Sequence, residues 1–251
     1  NMFFSRDTNF VVEIGANRWA IPVLDGFSFS QATNTSEVTL NEMADVNGNS
    51  RRGRKLFTDS YAPAEWSFST YARPFKSAGG GTSGKDASGT ANTHHAVEEV
   101  LWAMMAGADT FTANNAHPYS KGAAGSGTAV ITPSSTTNTA ISFAQSNVVQ
   151  LGTGFTVIFE VEEEDSDGGV LTYTVSEAVI NEATIDFDIE GIATISWSGM
   201  GTIITEGDTA TTRTIFEGIT NTNNFIQNKL TTLTIDSSGS DFQNMEDSYN
   251  V

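Results

Sequence analysis

The chain has 251 residues, 12 Lys+Arg against 30 Asp+Glu and a formal net charge of −18, which gives a pI near 4.3. Membrane insertion is not expected, because no apolar run approaches the ~18 residues of a spanning helix and no charged-then-apolar signal segment opens the chain. So acidic a balance argues against a sequence-reading nucleic-acid binder, which needs clustered cations to neutralise phosphate, and the absence of cysteine excludes disulfides, a thiol nucleophile and a cysteine-ligated metal.

The hydrophobic content, 38%, is enough for a core in one large domain or two small ones. Short alternating segments between polar turns predict a mainly β fold. Phe10–Ile14 and Trp19–Val23 flank Gly15-Ala16-Asn17-Arg18, a hairpin connection. Alternation returns in Phe27–Gln31, Glu37–Glu42 and Glu65–Tyr71, the last placing Trp66, Phe68 and Thr70 on one face. Met43–Pro63 is too long for a tight hairpin, and loops of that size are usually functional or held by a neighbour.

One helix is expected, with Thr93 as N-cap and Gly107 just past its end. Val97, Val100, Leu101 and Met104 fall at i, i+3, i+4 and i+7, a stripe that would pack on a β structure. Ser77–Ala91, Ala113–Gly127 and Ser134–Thr139 are rich in turn residues and predict flexible connections. In the second half, Phe155, Val157, Phe159 and Val161 share a face, and Leu171, Tyr173 and Val175 alternate after a Gly168-Gly169 turn. Ile185-Asp-Phe-Asp-Ile-Glu190 is the sharpest pattern: Ile185, Phe187 and Ile189 toward a core, Asp186, Asp188 and Glu190 away from it. Ala193–Trp197 and Gly201–Thr205 are the following strands, and from Gly218 the composition turns Asn/Thr-rich and acidic.

No catalytic motif is complete. His94 and His95 are adjacent, diverge by about 100° on a helix, and with His117 lack metal-ligand spacing; they are expected to be exposed or capping. Gly122–Gly127 lacks the Lys-Ser/Thr of a phosphate loop, and Ser198 lacks the leading glycine of a nucleophile elbow. Glu162–Gly168 holds only part of a Ca²⁺ loop and reads as an acidic hairpin tip. Neither a catalytic residue, a metal nor a cofactor is expected. Two features exceed this background. The first is the acidic face Asp186, Asp188 and Glu190, which is either an ordinary solvated face or a charged wall. The second is Arg51, Arg52, Arg54 and Lys55, four of the 12 basic residues, followed by Leu56, Phe57 and Tyr61. These form either a solubilising loop or a basic arm for docking onto an acidic copy of the same chain.

Over most of residues 2–217 the chain resembles the tail tube proteins of tailed bacteriophages. The resemblance rests on Ile21–Gln31 running into Ser36–Glu42, on Ala64–Phe75, on His95–Trp102 and, most strongly, on Asn181–Gly199. It implies a β-barrel or sandwich with a flanking helix, hexameric rings stacked into a hollow tube, neighbouring sheets joined edge to edge around the lumen, and no active site. Met43–Pro63 would then reach a neighbouring subunit or ring, and Asp186, Asp188 and Glu190 would line a DNA-repelling bore. The implied partners are further copies of the chain, sheath, baseplate and tail-terminator proteins, and DNA in transient passage. The implied location is the virion, after synthesis in host cytoplasm. Residues 1–217 are expected to form the tube domain, with insertions at 77–91 and 113–139, and 218–251 a C-terminal extension. A secreted or virion-surface adhesion or decoration protein, a carbohydrate-active β-sandwich enzyme and the tube of a contractile injection system are the alternatives.

Overall fold

Alternating apolar residues draw ten strands into two sheets that face each other across one core. The computed structural model describes residues 3–40, 47, 49, 53–77, 93–113, 115–122, 127–136, 139–143, 155–163, 169–186, 191–211, 214–215, 234–235 and 249–250. The first strands are β1 (Phe3–Ile14), β2 (Asn17–Ile21), β3 (Ser28–Ser30), β4 (Thr33–Leu40), β5 (Gly53–Tyr61), β6 (Ala64–Tyr71), β7 (Pro74–Lys76) and β8 (His94–Ala96). Helix α1 (Glu99–Met105) is followed by short strands β9 (Thr110–Phe111), β10 (Tyr119–Lys121), β11 (Thr128–Ala129), β12 (Ile131–Thr132) and β13 (Ala140–Ile141). The long strands return as β14 (Phe155–Glu163), β15 (Val170–Ser176), β16 (Val179–Asp186), β17 (Thr194–Gly201) and β18 (Ile204–Gly207). Three two-residue strands follow, β19 (Thr214–Ile215), β20 (Thr234–Ile235) and β21 (Tyr249–Asn250).

The larger sheet has the order β18-β15-β14-β1-β2-β19 and the smaller β16-β17-β6-β3. Among the described residues no ladder closes the two into a continuous barrel; the architecture is a mainly β sandwich with one flanking helix. Phe10, Val12 and Ile14 of β1 and Phe155, Val157 and Phe159 of β14 meet Trp66 and Phe68 of β6 and Ile195 and Trp197 of β17, all buried. The Phe10 and Phe68 rings lie 4.0 Å apart, centre to centre, across the two sheets. Each such side chain contributes about 1.5–3 kcal/mol on burial, so the core that holds both sheets is the main source of stability.

Four expectations change. The helix does not start near Thr93: residues 94–96 pair with β7, Phe75 opposite His95, and α1 spans only seven residues after Glu98. Its stripe of Val97, Val100, Leu101 and Met104 is buried, and Trp102 meets Trp197 edge-on at 4.8 Å. Gly107, at φ 84°, turns the chain out of the helix. Second, His95 is neither exposed nor a cap but a buried strand residue. Third, Ile185 is 38% exposed. It lies opposite the buried Ile195, on the core side, but β16 is the edge of its sheet, and among the described residues nothing covers it fully. Fourth, the Met43–Pro63 connection contains a strand: β5 pairs with β4 from Thr33↔Tyr61 to Leu40↔Gly53, so the connection is the outer half of a projecting hairpin.

Ala113–Gly127, expected to be flexible, contains β10 with a fully buried Tyr119. Residues 78–92, 164–168 and 187–190, with the expectations placed on them, lie outside the described residues, as does most of 216–251.

Candidate assembly and bore surfaces

The β4–β5 hairpin is an arm with no core of its own. Ser36, Val38 and Phe57 project from one side and Glu37, Leu56 and Tyr61 from the other, by the strand register. Leu56 is 64% exposed, Phe57 49%, Tyr61 59% and Val38 43%, so both sides carry apolar surface into solvent. A lone two-stranded hairpin is at best marginally stable in water, and contiguous exposed apolar surface marks an interaction site. Asn34 Nδ2 donates to Ser60 Oγ at 3.0 Å and Ser36 Oγ donates to the Asp59 carboxylate, polar ties that do not replace packing. Of the expected cation cluster, Arg54 and Lys55 lie in β5 opposite Thr39 and Val38; Arg51 and Arg52 lie outside the described residues.

The outward face of the smaller sheet has a different chemistry. Inward positions of β6 and β17 are Trp66, Phe68, Ile195 and Trp197, so the alternate positions Glu65, Ser67, Ser69, Ser196, Ser198 and Met200 point out. The register aligns these into rows: Ser28, Ser67, Ser198 and Glu182 in one, Ser69, Ser196 and Thr184 in the next, Tyr71, Thr194 and Asp186 in a third. Hydroxyls bond across strands, Ser28 Oγ to Ser67 Oγ at 2.8 Å and Ser69 Oγ to Ser196 Oγ at 3.1 Å. The charged groups at these outward positions are Glu182 and Asp186 in the rows and Glu65 beside them, opposite Ser30 and Met200, with no lysine or arginine among them. The face is therefore hydroxylated and anionic. Asp186 belongs to it and is exposed; Asp188 and Glu190 lie outside the described residues. Glu65, Glu182 and the serine rows went unnoticed in the sequence, although Glu-x-Ser-x-Ser in 65–69 and Ser-x-Ser in 196–198 already showed them at alternate positions.

A buried polar chain runs beside α1. Ser77 Oγ meets Thr93 Oγ1 at 2.7 Å, Thr93 Oγ1 meets His95 Nε2 at 2.8 Å, and His95 Nδ1 meets Glu99 Oε2 at 2.8 Å. The order hydroxyl–imidazole–carboxylate is that of a nucleophile relay. All four residues are buried, however, and a hydroxyl closed off from solvent cannot receive a substrate; the chain anchors the helix to the β7–β8 ladder. Next to it, burial pushes the Glu98 carboxyl up from 4.5 to about 7, opposed by hydrogen bonds that include one from the Arg73 backbone N–H and reinforced by the charge of Glu99. Burial, with Glu99 adding to it, also raises the Tyr119 hydroxyl well above its ordinary value. No group of three or more potential metal ligands occurs among the described residues. His117 is exposed, with its backbone N–H donating to Asn115 Oδ1 at 2.9 Å, and Ser198 lies on the hydroxylated face. No helix among the described residues is long and apolar enough to cross a membrane.

No family model matches the chain. Among solved structures, the tube-terminating cap of the anti-feeding prophage overlaps 83% of this chain and 93% of its own, at 12% identity and a TM-score of 0.38. The sheath–tube complex of an extracellular contractile injection system in its extended state overlaps 80% of this chain and 88% of its own, at 14% identity and a TM-score of 0.33. Overlaps this loose support no argument about fold or function. The tail tube protein pb6 of Escherichia phage T5 is 28% identical over 195 residues, covering 74% of this chain. The match takes in 32% of the relative, so the chain spans about a third of the length of the curated protein it matches. The resemblance carried by residues 2–217 thus has a counterpart in a characterised protein: over 195 residues, this chain is similar to a bacteriophage tail tube protein.

Proposed function

We propose that this chain is a structural subunit of a phage tail tube, a virion component with no enzymatic role. Copies assemble into hexameric rings that stack into a hollow conduit for DNA. Residues 1–217 form the tube domain and 218–251 an appended extension. The observation that carries this reading is the β4–β5 arm, which exposes Leu56, Phe57, Tyr61 and Val38 on two sides with no core beneath them. A second copy of the chain supplies the missing packing. The basic residues Arg51, Arg52, Arg54 and Lys55 are drawn to it by its net charge of −18.

Glu65, Glu182 and Asp186, together with Asp188 and Glu190, face the bore in this reading. A wall that presents hydroxyls and carboxylates without cations has no groups with which to neutralise phosphate, and phosphate neutralisation supplies nearly all non-specific DNA affinity. Over a screening length of about 8 Å at physiological salt the wall repels the duplex, and DNA slides instead of sticking. Sheath, baseplate and terminator proteins would meet the outside and ends of such a tube.

Electron microscopy of the purified chain at high concentration tests this. Stacked rings with a central channel are expected. Solitary particles across protein concentrations and salts that support tube growth would overturn the assembly, and a channel walled by the β1–β14 sheet would overturn the bore assignment.

A further inference from the structure

We propose that Gln31 is the residue that fixes the direction in which the β4–β5 arm leaves the body, and so sets the geometry of assembly. The inference rests on the reading of the arm as an assembly element. It starts from the backbone. β3 and β6 pair as Ser28↔Ser67, Phe29↔Trp66 and Ser30↔Glu65, and pairing resumes in the arm at Thr33↔Tyr61. The arm is therefore a continuation of the β3–β6 ladder, with a break at residues 31–32 and 62–63. Pro63 has no N–H to donate there, and one backbone bond, from Ala62 N–H to the Ala32 carbonyl at 2.9 Å, closes the arm's root. A break of this kind is a hinge unless something spans it.

The Gln31 side chain spans it. Its Nε2 donates to the Ala62 carbonyl at 2.8 Å and to the Thr202 carbonyl at 3.0 Å, and its Oε1 accepts from the Ile204 N–H at 3.0 Å. Two donors and an acceptor are required in this order. Turning the amide over would set Oε1 against two carbonyl oxygens and the NH₂ group against an N–H, so the partners fix the orientation. Ala62 belongs to the arm's root. Thr202 lies in the turn between β17 and β18, and Ile204 opens β18, the outer strand of the larger sheet. One side chain thus ties three bodies together: the edge of the smaller sheet, the edge of the larger sheet and the arm. The turn is itself braced, because Thr202 Oγ1 donates to the Glu177 carboxylate at 2.5 Å. A clamp on a rigid corner gives the arm one direction; without it, rotation about the break gives many, and a subunit must then order the arm on docking, an entropy cost paid at every contact.

Because the chain has no cysteine, a pair introduced at Thr58 and Ser196, both exposed, can carry spin labels at unique positions on arm and body. Pulsed dipolar spectroscopy on unassembled subunits is expected to give one narrow distance distribution with Gln31 present. With Gln31→Ala or Gln31→Met the distribution should broaden at least twofold. The unlabelled variants should form tubes at least tenfold more slowly or with irregular rings, while their melting temperatures fall by only a few degrees. Gln31→Glu keeps the acceptor but sets a carboxylate against two carbonyls, and should broaden the distribution at least as much as Gln31→Met. A distribution that stays narrow in Gln31→Met and Gln31→Glu overturns the clamp, whatever the tubes do. Failure of the unsubstituted chain to form tubes overturns the assembly reading instead, and the distance measurement still decides whether Gln31 holds the arm.

Discussion

Glu98 provides the most quantitative handle on the part of the fold that carries the helix. Its carboxyl is buried between the start of α1 and the Arg73 backbone, 4% exposed, and is held by its own backbone N–H and by that of Arg73, the latter at 3.3 Å. Burial outweighs those bonds, so the folded protein holds the proton up to about pH 7, whereas the unfolded chain releases it near 4.5. Between those values the folded state binds more protons than the unfolded, and stability falls as pH rises. The group's contribution is greatest below pH 4.5 and is lost as pH passes through 7. The difference of about 2.5 units, at 1.36 kcal/mol each, amounts to about 3 kcal/mol. Glu98→Gln keeps the shape and removes the titration.

The assay is thermal or urea unfolding of both proteins from pH 4.5 to 8. Subtracting the two curves cancels every other titrating group. The variant is expected to gain on the parent by about 1.4 kcal/mol per pH unit across that window. The gap in melting temperature should widen by about 6–12 °C, given about 2–4 °C per kcal/mol for a domain of this size. Curves that remain parallel from pH 4.5 to 8 would refute the argument, since they would mean that Glu98 ionises alike in the folded and unfolded chain and that burial does not govern it.

Three further outcomes follow from the surfaces and the core. Leu56→Ser combined with Phe57→Ser should leave unfolding within about 0.5 kcal/mol of the parent, because both side chains are exposed in the subunit. It should raise the critical concentration for tube growth at least tenfold, as light scattering would show; unchanged growth would remove the arm from the interface. Ser67→Lys with Ser196→Lys puts two cations on the hydroxylated face, and assembled tubes, but not subunits, should then retain DNA at 50 mM salt and release it at 200 mM. Tubes that bind no more DNA than the parent would place that face elsewhere. Gly199→Ala should cost about 3 kcal/mol in urea unfolding, because a methyl group there would press on the Val179 carbonyl oxygen and the Trp66 ring; a loss below 1 kcal/mol would show that the two sheet strands part easily at that point.

The sandwich was legible wherever one face of a strand is apolar and the other polar. Trp66, Phe68 and Thr70 in β6 and Phe155, Val157 and Phe159 in β14 are buried, and the α1 stripe faces the core for the same reason. The reading weakened where burial comes from both sides: Ile158 and Glu160 of β14 are buried on the face away from the main core, and Thr211 N–H reaches the Glu160 carboxylate at 2.6 Å, a contact between residues 51 positions apart. Only one half of the arm was legible: Glu37–Glu42 alternates, whereas its partner strand runs Arg54-Lys55-Leu56-Phe57, charged and apolar residues in consecutive pairs with nothing to mark an inside. His95 was misplaced because Thr93 reads as a helix N-cap, while the partners that draw His95 inward, Thr93, Glu99 and Phe75, act through a β7 ladder only three residues long. Gln31 had no local signal either: its three partners lie at 62, 202 and 204.

In the proposed tube these features are mechanically linked, since the arm and the bore face are two stretches of the same strands. β3 and β6 contribute Ser28, Glu65, Ser67 and Ser69 to the hydroxylated face and continue past the Gln31 break into β4 and β5. An interface energy gained at the arm is thereby applied through the continuous backbones, the Ala32–Ala62 bond and the Gln31 clamp to the ladder that presents those side chains. If the arm docks in one direction, the bore wall is held at one tilt in every copy, and its carboxylates repeat at a constant spacing around and along the channel. A loosened clamp would uncouple the two, so that docking could proceed with the wall misaligned. Tubes of Gln31→Met that do form should then show a bore of variable diameter at normal outer dimensions, a signature that simple loss of stability would not produce.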